Sequence, residues 1–180
     1  MNMTAANHHI QGLRVVIVDD EADFARGLAR LVGGRFPGLD AVAVHSGGEA
    51  LRVLAEKPAQ LMITDLRMPE MTGLQLLNQA LAVQPELSMV VLTAYGTIET
   101  AVEALRAGAY DFLTKPIEQD QLIRVVEKGL ERSRLLEENS RLRQILASKE
   151  AGGELIGEGT AMRQLKRTIA VPVVGRVTAG

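Results

Sequence analysis

The 180-residue chain contains no cysteine and no tryptophan, and aromatic residues make up only 3% of it. Without cysteine, the protein can form neither disulfide bonds nor thiolate metal sites. No apolar stretch approaches the roughly 20 residues that a membrane-spanning helix needs. The formal net charge of -2 gives no general attraction to nucleic acid or to an anionic membrane surface. We therefore expect a globular, cytoplasmic protein without a membrane partner.

Hydrophobic residues make up 47% of the chain, which suffices for the core of one domain with an appendage. Residues 1–11 are polar and lack the apolar region of a signal peptide, so we expect a disordered leader there. Over residues 13–113, short apolar runs alternate with amphipathic stretches. This alternation predicts an α/β fold.

The apolar runs predict five strands at Arg14–Val18 and at residues 41–44, 61–64, 89–92 and 109–113. Because these runs are unbroken, each strand is expected to be buried on both faces, as in a parallel sheet covered by helices. The first predicted helix carries Phe24, Leu28, Leu31 and Val32 on its buried stripe. Later helices are expected at Gly47–Glu56, capped by Ser46, and at residues 72–83 and 97–106.

Polar side chains stand where these predicted strands end. Asp19 and Asp20 follow the first strand, Asp65 the third, Thr93 the fourth and Lys115 the fifth. Ligands of parallel sheets bind at the carboxyl ends of the strands, so we expect these groups to converge. Three carboxylates, a hydroxyl and an ammonium suit a divalent cation and a phosphoryl group.

The three carboxylates would repel one another if no cation were bound, which raises their pKa values. Mg²⁺ relieves this repulsion because it prefers oxygen ligands and tolerates a few carboxylates beside water and phosphate oxygens. A carboxylate can also act as a nucleophile and form an aspartyl phosphate. Lys115 could pair with Asp65 or with a bound phosphoryl oxygen. Alternatively, all are ordinary strand-end and cap residues, but their occurrence at four strand ends argues against this.

The last helix is expected to be unusually long. It begins near Glu118 and, apart from Gly129, meets no glycine or proline before Gly152 and Gly153. If it is continuous to about Lys149, it spans roughly 45 Å at ~1.5 Å per residue, more than the sheet requires. Its first part is expected to pack on the sheet through Leu122, Val125, Val126 and Leu130.

Residues 131–150 of this helix have the pattern of a coiled coil. A 4-3-4 spacing forms a seam of Leu135, Asn139, Leu142 and Leu146, with the asparagine at a core position that favours a parallel dimer in one register. Continued backwards, the heptad places Arg132 and Lys128 on the seam, so the repeat covers only about two heptads. The alternative is a single, solvated amphipathic linker helix.

Four motifs are similar to those of the receiver domain of bacterial two-component response regulators. They are residues 17–21 (IVDDE), 63–73 (ITDLRMPEMTG), 92–94 (LTA) and 110–116 (YDFLTKP). The resemblance covers residues 12–130. It implies a doubly wound, flavodoxin-like parallel sheet with strand order 2-1-3-4-5.

The resemblance also implies roles for the residues at the strand ends. Asp65 would accept a phosphoryl group from a sensor histidine kinase, and Lys115 would contact the phosphoryl oxygens. Asp20, Asp65 and the main-chain carbonyl of Arg67 would ligate Mg²⁺, while Asp19 would hold a metal-bound water.

Further implied roles concern switching and dephosphorylation. Thr93 would hydrogen-bond the phosphoryl group, and Phe112, at the switch aromatic position, would then rotate inward and repack a receiver face. Arg67 and Tyr95 flank the path of the hydrolytic water, and because both are bulky we expect slow self-dephosphorylation. The bond between Lys115 and Pro116 is expected to be cis.

The end of the chain is similar to the entry into the ATPase domain of sigma-54-dependent transcription activators of the nitrogen-regulator type. This resemblance is carried by residues 154–165 (ELIGEGTAMRQL). Residues 151–180 would thus be the start of a truncated ATPase domain, which we expect to be poorly ordered. We expect no ATP hydrolysis, because the phosphate-binding G-x-x-x-x-G-K-[ST] loop is absent. Residues 171–180 do not match the family. The alternative for residues 154–169 is an unrelated amphipathic helix.

These resemblances predict the regulatory part of a phosphorylation-controlled activator, not an enzyme beyond self-dephosphorylation. Homodimerisation is expected through the linker helix and a receiver face, and the parent activator would contact sigma-54 RNA polymerase and DNA through parts absent here. One alternative is a stand-alone receiver that acts as a phosphoryl carrier or adaptor. Another is a phosphotransferase similar to haloacid dehalogenases, which would usually need an aspartate where Arg67 stands.

Overall fold

A computed structural model describes residues 10–157, with side chains described as far as Gly152. The strands are β1 (Arg14–Val18), β2 (Asp40–Val44), β3 (Leu61–Asp65), β4 (Ser88–Thr93) and β5 (Asp111–Thr114). The helices are α1 (Ala22–Arg35), α2 (Gly47–Glu56), α3 (Gly73–Val83), α4 (Ile98–Arg106) and α5 (Gln119–Gly157). Most of the expected leader and of the expected ATPase segment, residues 1–9 and 158–180, lies outside the described residues.

The five strands form one parallel sheet in the order β2-β1-β3-β4-β5. Side chains on adjacent positions of a strand point to opposite faces, so each strand feeds two cores. Val16, Met62 and Val91 pack against α2 and α3, whereas Ile17, Ile63 and Leu92 pack against α1 and the first part of α5. The predicted α/β class and strand order are confirmed.

The fifth strand begins two residues later than expected. Ala109 donates its N–H to the carbonyl of Ala104 at 3.0 Å, and Gly108, with φ of 107°, donates to Leu105 at 3.1 Å. Both residues therefore close the end of α4, where a positive φ favours glycine. Pairing with β4 starts only at Tyr110, whose N–H donates to Met89 at 2.7 Å.

Three helices that follow carboxyl ends of strands begin with side-chain caps. Ser46 accepts the N–H of Glu49 at the start of α2, as predicted, and Thr97 accepts that of Thr100 at the start of α4. Thr72 and Gln75 form a reciprocal capping box at α3. Each cap satisfies a helix N–H that has no partner within the helix, and so fixes where the chain turns after the strand.

The chain divides into two compact units after Glu137, within α5. In the first unit, Leu122, Val125, Val126 and Leu130 are buried, as predicted. α5 continues to Gly157, past the expected stop at Gly152 and Gly153, because a glycine costs only about 1 kcal/mol relative to alanine and no proline lies within the helix. Among the described helices, none is both long and apolar enough to cross a membrane.

Polar contacts fasten α5 to the amino ends of the strands. Ser88 is fully buried and donates to the carbonyl of Gly129 at 2.9 Å, while Arg132 donates to Ser88 Oγ at 3.2 Å. The Arg132 guanidinium also lies over the Tyr110 ring, 5.4 Å from its centroid. Gly129 allows this close approach, because a Cβ there would lie 2.9 Å from a methyl carbon of Leu61.

Two further bonds extend this contact along α5. Ser133 is fully buried and donates to the carbonyl of Glu86 at 3.0 Å, and Gln60 donates to the carboxylate of Glu137 at 3.1 Å. Arg132 and Ser133 are thus engaged with the sheet, so an intermolecular seam cannot start before Leu135. Leu135 is 52% exposed and lies about 200° around the helix from Ser133.

In the second unit, the expected seam positions Asn139, Leu142 and Leu146 are all exposed in the single chain, the two leucines by 49% and 61%. Such exposure of large apolar residues is typical of a surface that binds another chain.

We predict that Gly73→Ala destabilises the protein by about 1–3 kcal/mol, the typical effect of an overpacked site. Gly73 is the first residue of α3, and a Cβ there would collide with the main-chain carbonyl of Asp65 and lie 2.9 Å from Cα of Leu66. Urea unfolding measures the change. At Gly27, an exposed position of α1, a Cβ would meet no atom within 4 Å, so Gly27→Ala should instead stabilise the protein by about 0.5–1 kcal/mol. Equal effects of the two substitutions would contradict the steric explanation.

Candidate functional site

Three carboxylates meet at the carboxyl edge of the sheet. Asp19 follows β1 and is fully buried, Asp20 is exposed, and Asp65 ends β3 with 9% of its surface exposed. One oxygen from each lies within 4.8 Å of the others. The structure therefore brings together the three aspartates that the strand-end pattern singled out.

Asp19 is held in place by two donors. Its Oδ1 accepts the main-chain N–H of Glu21 at 2.9 Å, and its Oδ2 accepts a hydrogen bond from Lys115 Nζ at 2.8 Å. A buried carboxylate needs such partners because the loss of water is costly for a charge. These bonds fix the side chain at the edge of β1.

Lys115 closes the site from the side of β5. Its Nζ is 2.8 Å from Asp19 Oδ2 and 3.5 Å from Asp65 Oδ1, so the structure places it nearer to Asp19 than to Asp65. Burial lowers the pKa of Lys115, but the hydrogen bond and the charge of Asp19, together with the charge of Asp65, outweigh it and the pKa is raised. The peptide bond to Pro116 is cis, as predicted.

The pKa of the Asp65 carboxyl group is raised above its ordinary value. Burial raises the pKa of Asp65, and the negative charge of Asp19 adds to that rise, whereas the nearby Lys115 opposes it. Three carboxylates and one ammonium meet here, so negative charge is in excess in the site. A cation with hard oxygen ligands would relieve this excess.

Thr93 ends β4 and is only 6% exposed. Its Oγ1 accepts the main-chain N–H of Tyr95 at 3.2 Å, and its carbonyl accepts the N–H of Lys115 at 2.8 Å. These bonds hold the end of β4 and the residue after β5 together. The hydroxyl hydrogen of Thr93 is not used in the bond to Tyr95.

Arg67 and Tyr95, which follow β3 and β4, contact each other. The Arg67 guanidinium lies 5.4 Å from the centroid of the Tyr95 ring, and the Tyr95 residue is 70% exposed. A guanidinium over an aromatic face is attracted by the ring quadrupole. The two residues that were predicted to flank the path of the hydrolytic water therefore contact each other.

Phe112 lies in β5, paired with Val91 of β4, and is half-buried. The adjacent helix α4 buries only the small side chains of Ala101 and Ala104. Its large apolar residues face outward, with exposed fractions of 82% for Ile98, 38% for Val102 and 44% for Leu105. α4 therefore presents an exposed apolar stripe beside the expected switch position.

Phe24 was predicted only as a core residue, yet it belongs to the site. Its ring lies 4.4 Å from Lys115 Nζ, and the residue is half-buried. The sequence feature that could have identified Phe24 is its position in the first turn of α1, five residues after Asp19, at the edge where the strands end. Hydrophobic periodicity does not reveal this, because an aromatic residue fits the core stripe equally well.

The comparisons with known proteins agree with this geometry. Residues 15–127 match the family described as the response regulator receiver domain. The chain is 35% identical over 155 residues to the C4-dicarboxylate transport transcriptional regulatory protein DctD of Rhizobium meliloti (strain 1021), covering 86% of this chain and 33% of that protein. It is 32% identical to the regulatory protein AtoC of Escherichia coli (strain K12), covering 93% of this chain and 35% of that protein.

Solved structures show the same likeness. NtrX from Brucella abortus matches with a TM-score of 0.66 and 35% identity, over 72% of this chain and 29% of that one. A receiver domain protein from Clostridium thermocellum matches with a TM-score of 0.63 and 25% identity, over 69% of this chain and 98% of that one. This chain spans about a third of the length of the curated relatives named above. The chain belongs to the response regulator receiver domain family.

Proposed function

We propose that this chain is the phosphoacceptor and regulatory part of a sigma-54-dependent transcription activator. Asp65 takes the phosphoryl group of a sensor histidine kinase, and the phosphorylated receiver controls pairing of two chains. The observation that carries the proposal is the convergence of Asp65 with Asp19, Asp20 and Lys115 at one edge of the sheet. The relatives that are transcriptional regulatory proteins, and the long α5, support transcription activation as the output that the receiver controls.

Mg²⁺ is the cofactor that these residues fit. One oxygen from each of three carboxylates lies within 4.8 Å of the others. The pKa of Asp65 is raised, mainly by burial and further by the charge of Asp19. Asp19, Asp20, Asp65 and the main-chain carbonyl of Arg67 would hold the ion, Asp19 through a water. When bound, the ion neutralises charge on the phosphoryl oxygens as the phosphoryl group transfers.

The transfer step uses the Asp65 carboxylate as nucleophile. One Asp65 oxygen attacks phosphorus, an O–P bond forms, and the P–N bond of the ring-protonated phosphohistidine breaks. The electron pair of that bond leaves with the nitrogen, so neutral imidazole departs and no further proton is needed. Lys115 donates a hydrogen bond to a phosphoryl oxygen and keeps its proton.

Phosphorylation replaces one negative charge with about two and adds acceptor oxygens. The O–H of Thr93, which the bond to Tyr95 leaves unused, donates to one of these oxygens. Movement of Thr93 makes room for Phe112 to turn inward and repack the face that includes α4. To shift the receiver from a mostly inactive to a mostly active conformation, the phosphoryl group must interact more favourably with the active conformation by about 5 kcal/mol.

The contact between Arg67 and Tyr95 covers the approach of the hydrolytic water to Asp65. The Arg67 guanidinium carbon lies 5.4 Å from the centroid of the Tyr95 ring, and the two residues belong to the loops that follow β3 and β4. Self-dephosphorylation is therefore slow.

Dimerisation uses two surfaces. The seam of Leu135, Asn139, Leu142 and Leu146 pairs the linker helices in parallel, and the exposed stripe of α4 contributes the receiver face. A stand-alone carrier or adaptor is the second candidate, but it has no need for a long helix with exposed leucines. Membership of the receiver family removes the reason to consider a phosphotransferase of the haloacid dehalogenase type.

We predict that Asp65→Asn stabilises the cation-free protein near neutral pH, because burial and the charge of Asp19 raise the pKa of Asp65. Ionising a group whose folded-state pKa is raised lowers stability, so the advantage of asparagine is largest at neutral pH. It should vanish as the pH falls to the unfolded-state pKa of 3.8. Urea unfolding over a pH series without divalent cations measures this.

Asp40→Asn is the matched control with the opposite sign. The hydrogen bond from Arg14 lowers the pKa of Asp40, so removing this charge should destabilise the protein near neutral pH. That loss should shrink as the pH falls through the lowered pKa of Asp40. If both variants are destabilised alike, the proposed charge excess at Asp65 is wrong.

Incubation with acetyl phosphate and Mg²⁺ should add one phosphoryl group to the protein, visible as a mass increase that neutral hydroxylamine removes. Asp65→Asn should abolish the label, because the nucleophile is gone. Asp120→Asn, which alters an exposed acid in the first turn of α5, should leave it unchanged. Label that survives Asp65→Asn would place the nucleophile elsewhere.

The same labelled protein should lose its phosphoryl group over minutes or longer. Removing one side of the cover in Tyr95→Ala should speed the loss by about fivefold, the rate equivalent of one exposed cation–π contact. Decay is followed by mass after the donor is removed. A wild-type lifetime of seconds would count against the cover.

Leu142→Ser with Leu146→Ser should weaken self-association by more than about tenfold, because two buried leucines contribute roughly 3–6 kcal/mol. Gln144→Ser, exposed and off the seam, should have no effect. Ile98→Ser should weaken only association that depends on phosphorylation. Sedimentation equilibrium gives the constants, and a wild-type chain that remains monomeric with and without phosphorylation would favour the stand-alone adaptor.

A further inference from the structure

We infer that the aromatic ring of Phe24 positions the Lys115 ammonium for phosphoryl transfer to Asp65. This inference rests on the proposed function and adds a residue to it. Lys115 Nζ lies 4.4 Å from the centroid of the Phe24 ring, within the range of a cation–π interaction. Phe24 is thus a positioning residue that acts through Lys115.

Three groups surround the ammonium. Asp19 Oδ2 is at 2.8 Å, Asp65 Oδ1 at 3.5 Å, and the ring of Phe24 covers another side. The Lys115 side chain is only 18% exposed. Reduced contact with water strengthens the attraction between a cation and an aromatic face, so the ring is a substantial partner here.

The two kinds of partner respond differently to the reaction. Both carboxylates change their charge environment when a cation binds or when Asp65 is phosphorylated, and a carboxylate that ligates a cation is a weaker acceptor for Lys115. The quadrupole of the Phe24 ring stays the same through both events. The ring therefore retains the ammonium near the reacting phosphoryl group while its anionic partners change.

Phe24 is itself held in place by the helix and by packing. It lies in the first turn of α1 and packs against the core shared by α1 and α5. A lysine side chain has about 2 kcal/mol of rotamer entropy to lose when it is ordered. A ring mounted on a packed helix orders the ammonium before the donor arrives, which lowers the barrier of the transfer step.

The test replaces Phe24 in the full chain with mono-, di- and trifluorophenylalanine. Fluorine withdraws electrons from the ring face and weakens the cation–π attraction stepwise, while the size of the ring changes little. The donor is acetyl phosphate with Mg²⁺: an Asp65 oxygen bonds to phosphorus, the P–O bond to acetate breaks, and acetate leaves with the electron pair. A small donor removes any effect of contacts with a kinase.

The logarithm of the phosphorylation rate should fall steadily with each fluorine. Across the series, and in Phe24→Leu, we expect a total loss of about 5-fold to 30-fold, whereas Phe24→Tyr should keep most of the rate. The same series at Phe36 is the control. That ring is buried, lies under Arg35 at 5.7 Å and is not part of the site, so its fluorination should leave the rate unchanged.

A second readout needs neither donor nor cation. In the wild-type protein, the ring current of Phe24 should shift the ε-methylene protons of Lys115 upfield in the NMR spectrum, and Phe24→Leu should abolish that shift. If the phosphorylation rate does not change along the fluorine series, or if the upfield shift is absent, the inference is wrong. Labelling of Asp65 in the wild-type chain would still support the proposed function. A wild-type chain that takes no label on Asp65 overturns the proposed function, and the inference falls with it.

Discussion

The repulsion among three carboxylates at one end of a parallel sheet is the constraint on which the rest of this structure depends. Asp19, Asp20 and Asp65 meet because β1 and β3 are neighbours and end at the same edge. Lys115, which follows β5, balances part of their negative charge, and burial raises the pKa of Asp65. A site with such an imbalance responds strongly to any added charge, which is the requirement for a switch.

The surrounding fold serves to keep this arrangement rigid. Apolar side chains fill both faces of the strands, and side-chain caps fix the turns after β2, β3 and β4. Gly73 lets α3 start against the carbonyl of Asp65, where any larger residue would collide. Polar bonds at the opposite edge of the sheet hold the first part of α5. Because the core is closely packed and has little room to relax, a small displacement at the charged edge would be transmitted to the helices.

The unbroken apolar runs predicted the parallel sheet, and the polar residues that follow them predicted the site at its carboxyl edge. The strand order came from the resemblance to receiver domains. The sequence did not predict that Lys115 lies nearer to Asp19 than to Asp65, since that depends on side-chain packing. It also did not predict the role of Phe24, because a hydrophobic stripe gives the same pattern for a core residue and for a ring over an ammonium. The end of α5 was expected too early, since two glycines weaken a helix without terminating it.

The buried side chains of α4 are those of two alanines, Ala101 and Ala104, whereas its bulky side chains face outward. Little apolar surface is therefore exposed when this helix shifts or frays, and its local unfolding free energy should be the smallest among the helices that cover the sheet. Hydrogen exchange of its amides would then be governed by subglobal openings and not by global unfolding. A helix held this loosely can change its position in response to events at Thr93 while the remaining layers of the domain keep theirs.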